Sequence, residues 1–228
     1  MVKHLLQLLV GVTVGLAGTA GADTWYQDTV THQGQPTNYL CGETVIAMWA
    51  SSISGSYDAW DAYDAIEDRW GSGEGSDGTD TDELAYGIFD LTPYGWYFSN
   101  WTYSDKEATI KGMAWSIAKY TESVAASGIY GAHWFLVRGV KASSNPYTYY
   151  GSASISYVYV NDSKYDSPVY TSSYFSPTSS YSPSSLMSKV NKIGSWWPYD
   201  KKYRTVERTS SYSLQGETQS NTDSYSSY

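Results

Sequence analysis

The spacing of apolar positions divides the chain into a helical first half and a region of paired strands. From Cys41, the run CGETVIAMWASSI sets Val45, Ile46, Met48 and Trp49 among small residues and ends before Gly55. That spacing predicts a helix of about three turns with Cys41 at its start. Residues 57–70, YDAWDAYDAIEDRW, carry Trp60, Tyr63, Ile66 and Trp70 at three- and four-residue steps with acids between them, a second amphipathic helix. After the loop GSGEGSDGTDT, the stretch DELAYGIFDL predicts a third helix, capped by Thr81 or Asp82. YGWYFSNWTY has the aromatic content of a strand, and Asp105 starts a fourth helix striped by Ile110, Met113, Ala114, Ile117 and Ala118.

The period then changes to two. SVAASGIYGAHWFLVRGV contains two short apolar runs split at Gly131, and the second alternates His133, Phe135 and Val137 against Trp134, Leu136 and Arg138. ISYVYVND alternates again and groups Val158, Val160 and Asp162, so the two segments predict a long antiparallel hairpin. The pattern as a whole predicts an α+β fold in which an N-terminal helical part packs on an antiparallel sheet. Residues 23–40 read as an extended lead-in, broken by Gly34 and Pro36. Residues 163–185, dense in Ser and Tyr with prolines between, read as a surface excursion, followed by a short helix LMSKVNKI and by Trp196, Trp197 and Pro198 docking back.

The two ends differ from the middle. Residues 1–22 join a basic start at Lys3, an apolar run from Leu5 to Ala17 and the small triplet Ala20, Gly21, Ala22, the pattern of a secretory signal with an A-x-A cleavage site. The run is shorter than the roughly 20 residues a bilayer requires, so export with cleavage is expected, with no membrane attachment afterwards. The mature chain would start at Asp23 and work outside the cytoplasm, secreted or periplasmic. Residues 23–205 read as one domain, and 206–228, a Ser/Tyr-rich stretch with little to bury, are expected to form a flexible tail.

Charge and composition narrow the chemistry. The net charge of −9 becomes one unit more negative when Lys3 leaves, which excludes a nucleic-acid backbone as the main partner. Cys41 is the only cysteine, so no intramolecular disulfide exists and a free thiol in an exported protein is either buried and inert or chemically active. With His4 lost in the signal, only His32 and His133 remain, too few for a structural zinc site, and no cofactor motif is present. Glu74, Asp77, Asp80 and Asp82 in the loop invite a calcium reading, but their spacing is not that of an EF-hand and a solvated loop explains them.

A thiol at a helix start gains thiolate character from the unpaired N–H groups there, which marks Cys41 as a candidate nucleophile. His133 begins one hairpin strand and Asp162 ends the other, so the antiparallel register brings them to one edge as a base and its orienting acid. Gln35, six residues before the thiol, would pair its side-chain amide with the Cys41 backbone N–H as an oxyanion stabiliser. Together these four describe acyl transfer. His32, in the Gly/Gln-rich lead-in, fits no such position and reads as a surface residue.

QPTNYLCGETVIAMW, GAHWFLVRGV and YVYVNDS resemble the three signature segments of papain-like cysteine peptidases, above all the branch of double-glycine leader-processing peptidases. The resemblance spans residues 33–168 and includes the segment before the histidine strand. NYLCG and YVNDS are also similar to short stretches of streptococcal immunoglobulin-cleaving cysteine proteases. The resemblance implies a papain-like fold with Gln35 in the oxyanion hole, Cys41 as nucleophile, His133 as general base and Asp162 as the orienting acid. Glu43 and Ser163 stand where that family carries proline, and Asn161 adjoins the acid, so the orienter could be either residue. A Glu43 carboxylate pointing inward would oppose a thiolate.

The expectation is therefore a secreted cysteine endopeptidase acting on protein or peptide substrates. The same constellation would serve a peptidoglycan amidase or endopeptidase, whereas a non-catalytic binding module would use only the aromatic surface that 10 tryptophans and 24 tyrosines provide. The stretch from Asp23 to Leu40 is too short for a papain-type inhibitory prodomain, so N-terminal zymogen control is not expected.

Overall fold

In the computed structural model, residues 23–71, 78–128, 133–190, 203–209 and 219–220 are described. Helix α1, Cys41–Ile53, is buried from Cys41 through Ala50, because α2 (Ala59–Trp70) and α3 (Thr81–Asp90) cover one side of it and a sheet strand the other. Acidic caps start its two neighbours. The Asp58 side chain accepts from the Trp60 and Asp61 amides, and Asp80 accepts from Asp82 and Glu83, with Asp61 and Glu83 returning a bond to the cap amide in each case. The cap of α3 is thus Asp80, just ahead of the two residues expected. Its carboxylate reaches two N–H groups left unpaired by the first turn, next to the positive end of the helix dipole.

The strands are β1 (Thr24–Gln27), β2 (Tyr97–Tyr103), β3 (Val124–Gly128), β4 (His133–Ala142), β5 (Ile155–Asp162), β6 (Ser180–Tyr181), β7 (Tyr203–Thr209) and β8 (Gln219–Ser220). They form one sheet in the order β6-β5-β4-β3-β7-β2-β8, with β1 also paired to β4. Every pairing is antiparallel except β2 with β8. Helices and a largely antiparallel sheet make this an α+β fold.

The period of two is read out on both faces of the sheet. Phe135, Val137 and Val140 of β4, with Val158 and Val160 of β5, pack on one face against Ile110, Met113, Ala114 and Ile117 of α4 (Lys106–Tyr120) and against Leu186 and Met187 of α5 (Pro183–Met187). Trp134 and Leu136 of β4, Ala125 of β3, Val206 of β7 and Phe98 of β2 face the other way, onto α1, α2 and α3. A central strand covered on both sides has no polar face, which is why β4 is buried over most of its length.

Three expectations about segments change. Strand β7 crosses the expected boundary after residue 205 and buries Val206 and Glu207 in the middle of the sheet, so the folded domain reaches at least Thr209. The short helix begins at Pro183, capped by Ser182, because proline suits a first helical turn, and not at Leu186. The excursion at 163–185 returns to the core, with Phe175 buried beside Phe135. The leader 1–22, Glu74, Asp77, Trp196, Trp197, Pro198 and most of the tail lie outside the described residues. Among the described residues no helix is long and apolar enough to cross a membrane.

Candidate active site

The register of β4 against β5 sets Phe135 opposite Asp162, so His133, two residues earlier and on the same face as Phe135, lies diagonally across from the acid. His133 Nε2 donates to Asp162 Oδ1 at 2.7 Å. Both side chains are almost wholly out of solvent, 2% and 0% exposed. Nδ1 of His133 makes no hydrogen bond to any described residue, and the Tyr174 ring packs 5.6 Å from the imidazole at a tilt of 58°.

Asp162 is held from behind by main chain. The Lys164 amide donates to Oδ1 at 3.0 Å, and the Tyr174 and Phe175 amides donate to Oδ2 at 2.6 and 3.1 Å. Burial alone would push this carboxyl up, but the His133 bond, the charge of His133 and these amides outweigh it and keep Asp162 below the usual carboxylate range. Asn161 points elsewhere, as strand alternation requires: its Oδ1 accepts from Arg138 Nε at 3.0 Å and its Nδ2 lies 3.9 Å from Met48 Sδ. Of the two candidate orienters, Asp162 is the one that meets the histidine.

Cys41 opens α1 and is 7% exposed. Burial pushes its thiol up to about 11, opposed by the backbone amides of Trp134 and Gly42 and by the charge of Lys164, and reinforced by Glu43. The expectation that the helix start by itself lowers the thiol pKa is therefore not met, because desolvation of the thiolate exceeds what the helix end supplies. No hydrogen bond joins Cys41 to His133; the thiol instead faces the amide of Trp134, the next residue along β4.

Two charges flank the thiol. Glu43 is fully buried one half-turn on, its carboxylate oxygens lacking a well-formed hydrogen bond, and burial, with repulsion from Glu83, raises it to about 7 against the opposing pull of its own backbone amide and the nearby Thr79 hydroxyl. Lys164 holds its ammonium 4.4 Å from the Tyr170 ring and 5.0 Å from the Tyr174 ring, the same ring that packs on His133.

Gln35 is fully buried. Its Nε2 donates to the Thr37 carbonyl at 2.7 Å, and its Oε1 accepts from Ser163 Oγ at 3.0 Å. Its main chain is tied at both ends, the amide to the Ser163 carbonyl at 2.7 Å and the carbonyl to Ser167 Oγ at 2.6 Å. Close approach requires glycine at 34, since a Cβ there would lie 2.5 Å from the Asp166 carbonyl oxygen.

Of the four residues singled out by sequence, His133 and Asp162 are in direct contact, and Gln35 bonds Ser163, the residue after Asp162, with its –NH2 turned to Thr37. Cys41 meets the amide of Trp134, the residue after His133, and no hydrogen bond joins it to the other three. Sequence reasoning did not single out Trp134, Ser163, Lys164 or Tyr174 as parts of the site. The first acts through its amide and the others lie in or beside a segment read as surface, although Ser163 was visible as a departure from proline. His32 is not a free surface residue: its Nε2 is 2.8 Å from the Tyr165 carbonyl, beneath the same segment. Asp80 and Asp82 are engaged with the α3 cap and with Asn100, and no group of metal-ligating side chains occurs among the described residues. Comparison with protein-family models and with curated proteins finds no match.

Proposed function

We propose that the protein is a secreted cysteine endopeptidase of papain-like architecture that hydrolyses peptide bonds through a thioester on Cys41. The observation that carries this reading is the buried His133–Asp162 bond at 2.7 Å, on the strand whose next amide faces the Cys41 thiol. With Nε2 committed to an ionised Asp162, Nδ1 is the nitrogen left to accept the thiol proton. The thiolate attacks the peptide carbonyl, the imidazolium protonates the departing amine, and water then releases the acyl group with His133 again taking a proton. The developing oxyanion would be met by the Cys41 amide and the Gln35 side chain.

A thiol pushed up to about 11 by burial is unreactive by itself, so the ion pair with His133 is what the reading requires. The test is the rate of iodoacetamide alkylation of Cys41 from about pH 4 to 9, in the chain starting at Asp23 and in His133→Ala. Fast alkylation at acid pH that His133→Ala abolishes supports the peptidase and predicts hydrolysis of an unfolded protein substrate that Cys41→Ala removes. Slow alkylation, unchanged by His133→Ala, overturns it.

A further inference from the structure

The residue after the orienting acid has a task of its own. Asp162 and Ser163 are consecutive at the end of β5, and they reach in opposite directions: Asp162 holds His133, while Ser163 holds Gln35 through both its hydroxyl and its carbonyl. We propose that Ser163 is a positioning residue for acyl transfer, holding the Gln35 carbonyl oxygen so that the amide's one uncommitted N–H, and not that oxygen, is left for the developing oxyanion. This rests on the acyl-transfer reading of Cys41 given above.

The orientation of the Gln35 amide follows from its neighbours. The Thr37 carbonyl can only accept, so the –NH2 of Gln35 must face it. The oxygen then lies toward Ser163, whose hydroxyl can donate to it. One N–H of the amide is used by Thr37, and the second has no acceptor among the described residues although Gln35 is wholly buried. An unpaired N–H in so dry a place is costly unless something fills it during the reaction. Ser163 Oγ also lies 3.5 Å from the carbonyl of Trp134, the residue whose amide meets the Cys41 thiol. The serine is therefore one residue away from the nucleophile by one route and bonded to the candidate oxyanion donor by the other. Proline here, as in the family that the sequence resembles, would have no hydroxyl to donate.

The two chemistries of a thiol separate this role from a general effect on the site. Alkylation by iodoacetamide forms a C–S bond and expels iodide without any oxyanion. Acylation by p-nitrophenyl acetate adds the thiolate to the ester carbon, moves the carbonyl electron pair onto oxygen, then expels p-nitrophenolate and leaves the acetyl thioester. Ser163→Ala should leave the alkylation rate within about twofold of wild type and lower the acylation rate about 10- to 100-fold, since loss of a well-placed oxyanion donor costs about 10²–10³-fold. In a Gln35→Ala background, Ser163→Ala should cost nothing more. Ser163→Thr and Ser163→Val, alike in shape, should differ, with only Thr keeping the acylation rate; this pair decides the matter if the alanine variant does not fold.

Equal acylation by Thr and Val variants, or an additive loss in the double mutant, overturns the role of Ser163. Slow alkylation of the wild type that ignores His133→Ala instead overturns the peptidase reading beneath it.

Discussion

Asp162 receives His133 on one oxygen at 2.7 Å while the Tyr174 and Phe175 amides occupy the other at 2.6 and 3.1 Å. The carboxylate is thus locked to the loop at 174–175 as well as to the imidazole, and both oxygens must be acceptors. An amide offers only one acceptor, so Asp162→Asn turns an –NH2 either toward two backbone N–H groups or toward the ring. Turnover should fall by about 10³-fold or more, and the fold should lose on the order of 1–3 kcal/mol. Steady-state kinetics and thermal unfolding of the variant check both, and an Asn variant with full activity would contradict the orienting role.

The charges beside the thiol make opposite predictions. Glu43 ionises at about 7 and stands against thiolate formation, so Glu43→Gln should speed alkylation of Cys41 severalfold above that pH and leave it unchanged well below. Lys164 favours the thiolate, and Lys164→Met should slow alkylation severalfold. The pH profiles of the two variants, measured at low salt, check the pair of signs.

Buried acids also set how stability varies with pH. Glu43 and Glu207 are both raised by burial from an ordinary 4.5 to about 7, so the folded chain holds their protons where the unfolded chain has released them. Stability from these groups is complete below 4.5 and is lost as pH rises through 7, by on the order of a few kcal/mol together. Asp162 acts in reverse: its depressed pKa stabilises above the ordinary 3.8 and that contribution is lost as pH falls further. Denaturant midpoints should therefore decline from mildly acid to neutral pH, and Glu207→Gln should flatten the decline. A midpoint that rises through this window would contradict it.

Gly42, directly after Cys41, is packed against Thr79: a Cβ at 42 would meet Thr79 Oγ1 at 2.2 Å. The Thr79 carbonyl is itself tied to Trp134 Nε1 at 2.7 Å, so the clash has little room to relax. Gly42→Ala should cost about 1–3 kcal/mol in thermal unfolding and should slow alkylation of Cys41 through the displaced Trp134. A variant as stable as wild type would show that Thr79 yields freely.

Much of this architecture is written locally. The three-and-four spacing around Ile46 and Trp49, the acid caps of α2 and α3, and the alternation in β4 and β5 each depend on neighbours within a turn or two, which is why they are legible along the chain. The ends of one hairpin also brought His133 and Asp162 together on paper, since antiparallel strands joined by one loop have a register that alternation nearly dictates. What depends on distant segments was not legible. The path of β7 between β3 and β2 joins residues a hundred or more positions from their partners in β2, and its strand pattern resembles tail until those neighbours cover it. Whether Asn161 or Asp162 met the imidazole was decided by which face β5 turned to β4 and by the amides of 174 and 175 waiting there. The raised thiol of Cys41 and the raised carboxyl of Glu43 likewise come from burial under three helices and a sheet, because desolvation is a property of everything packed around a group and not of its place in the sequence.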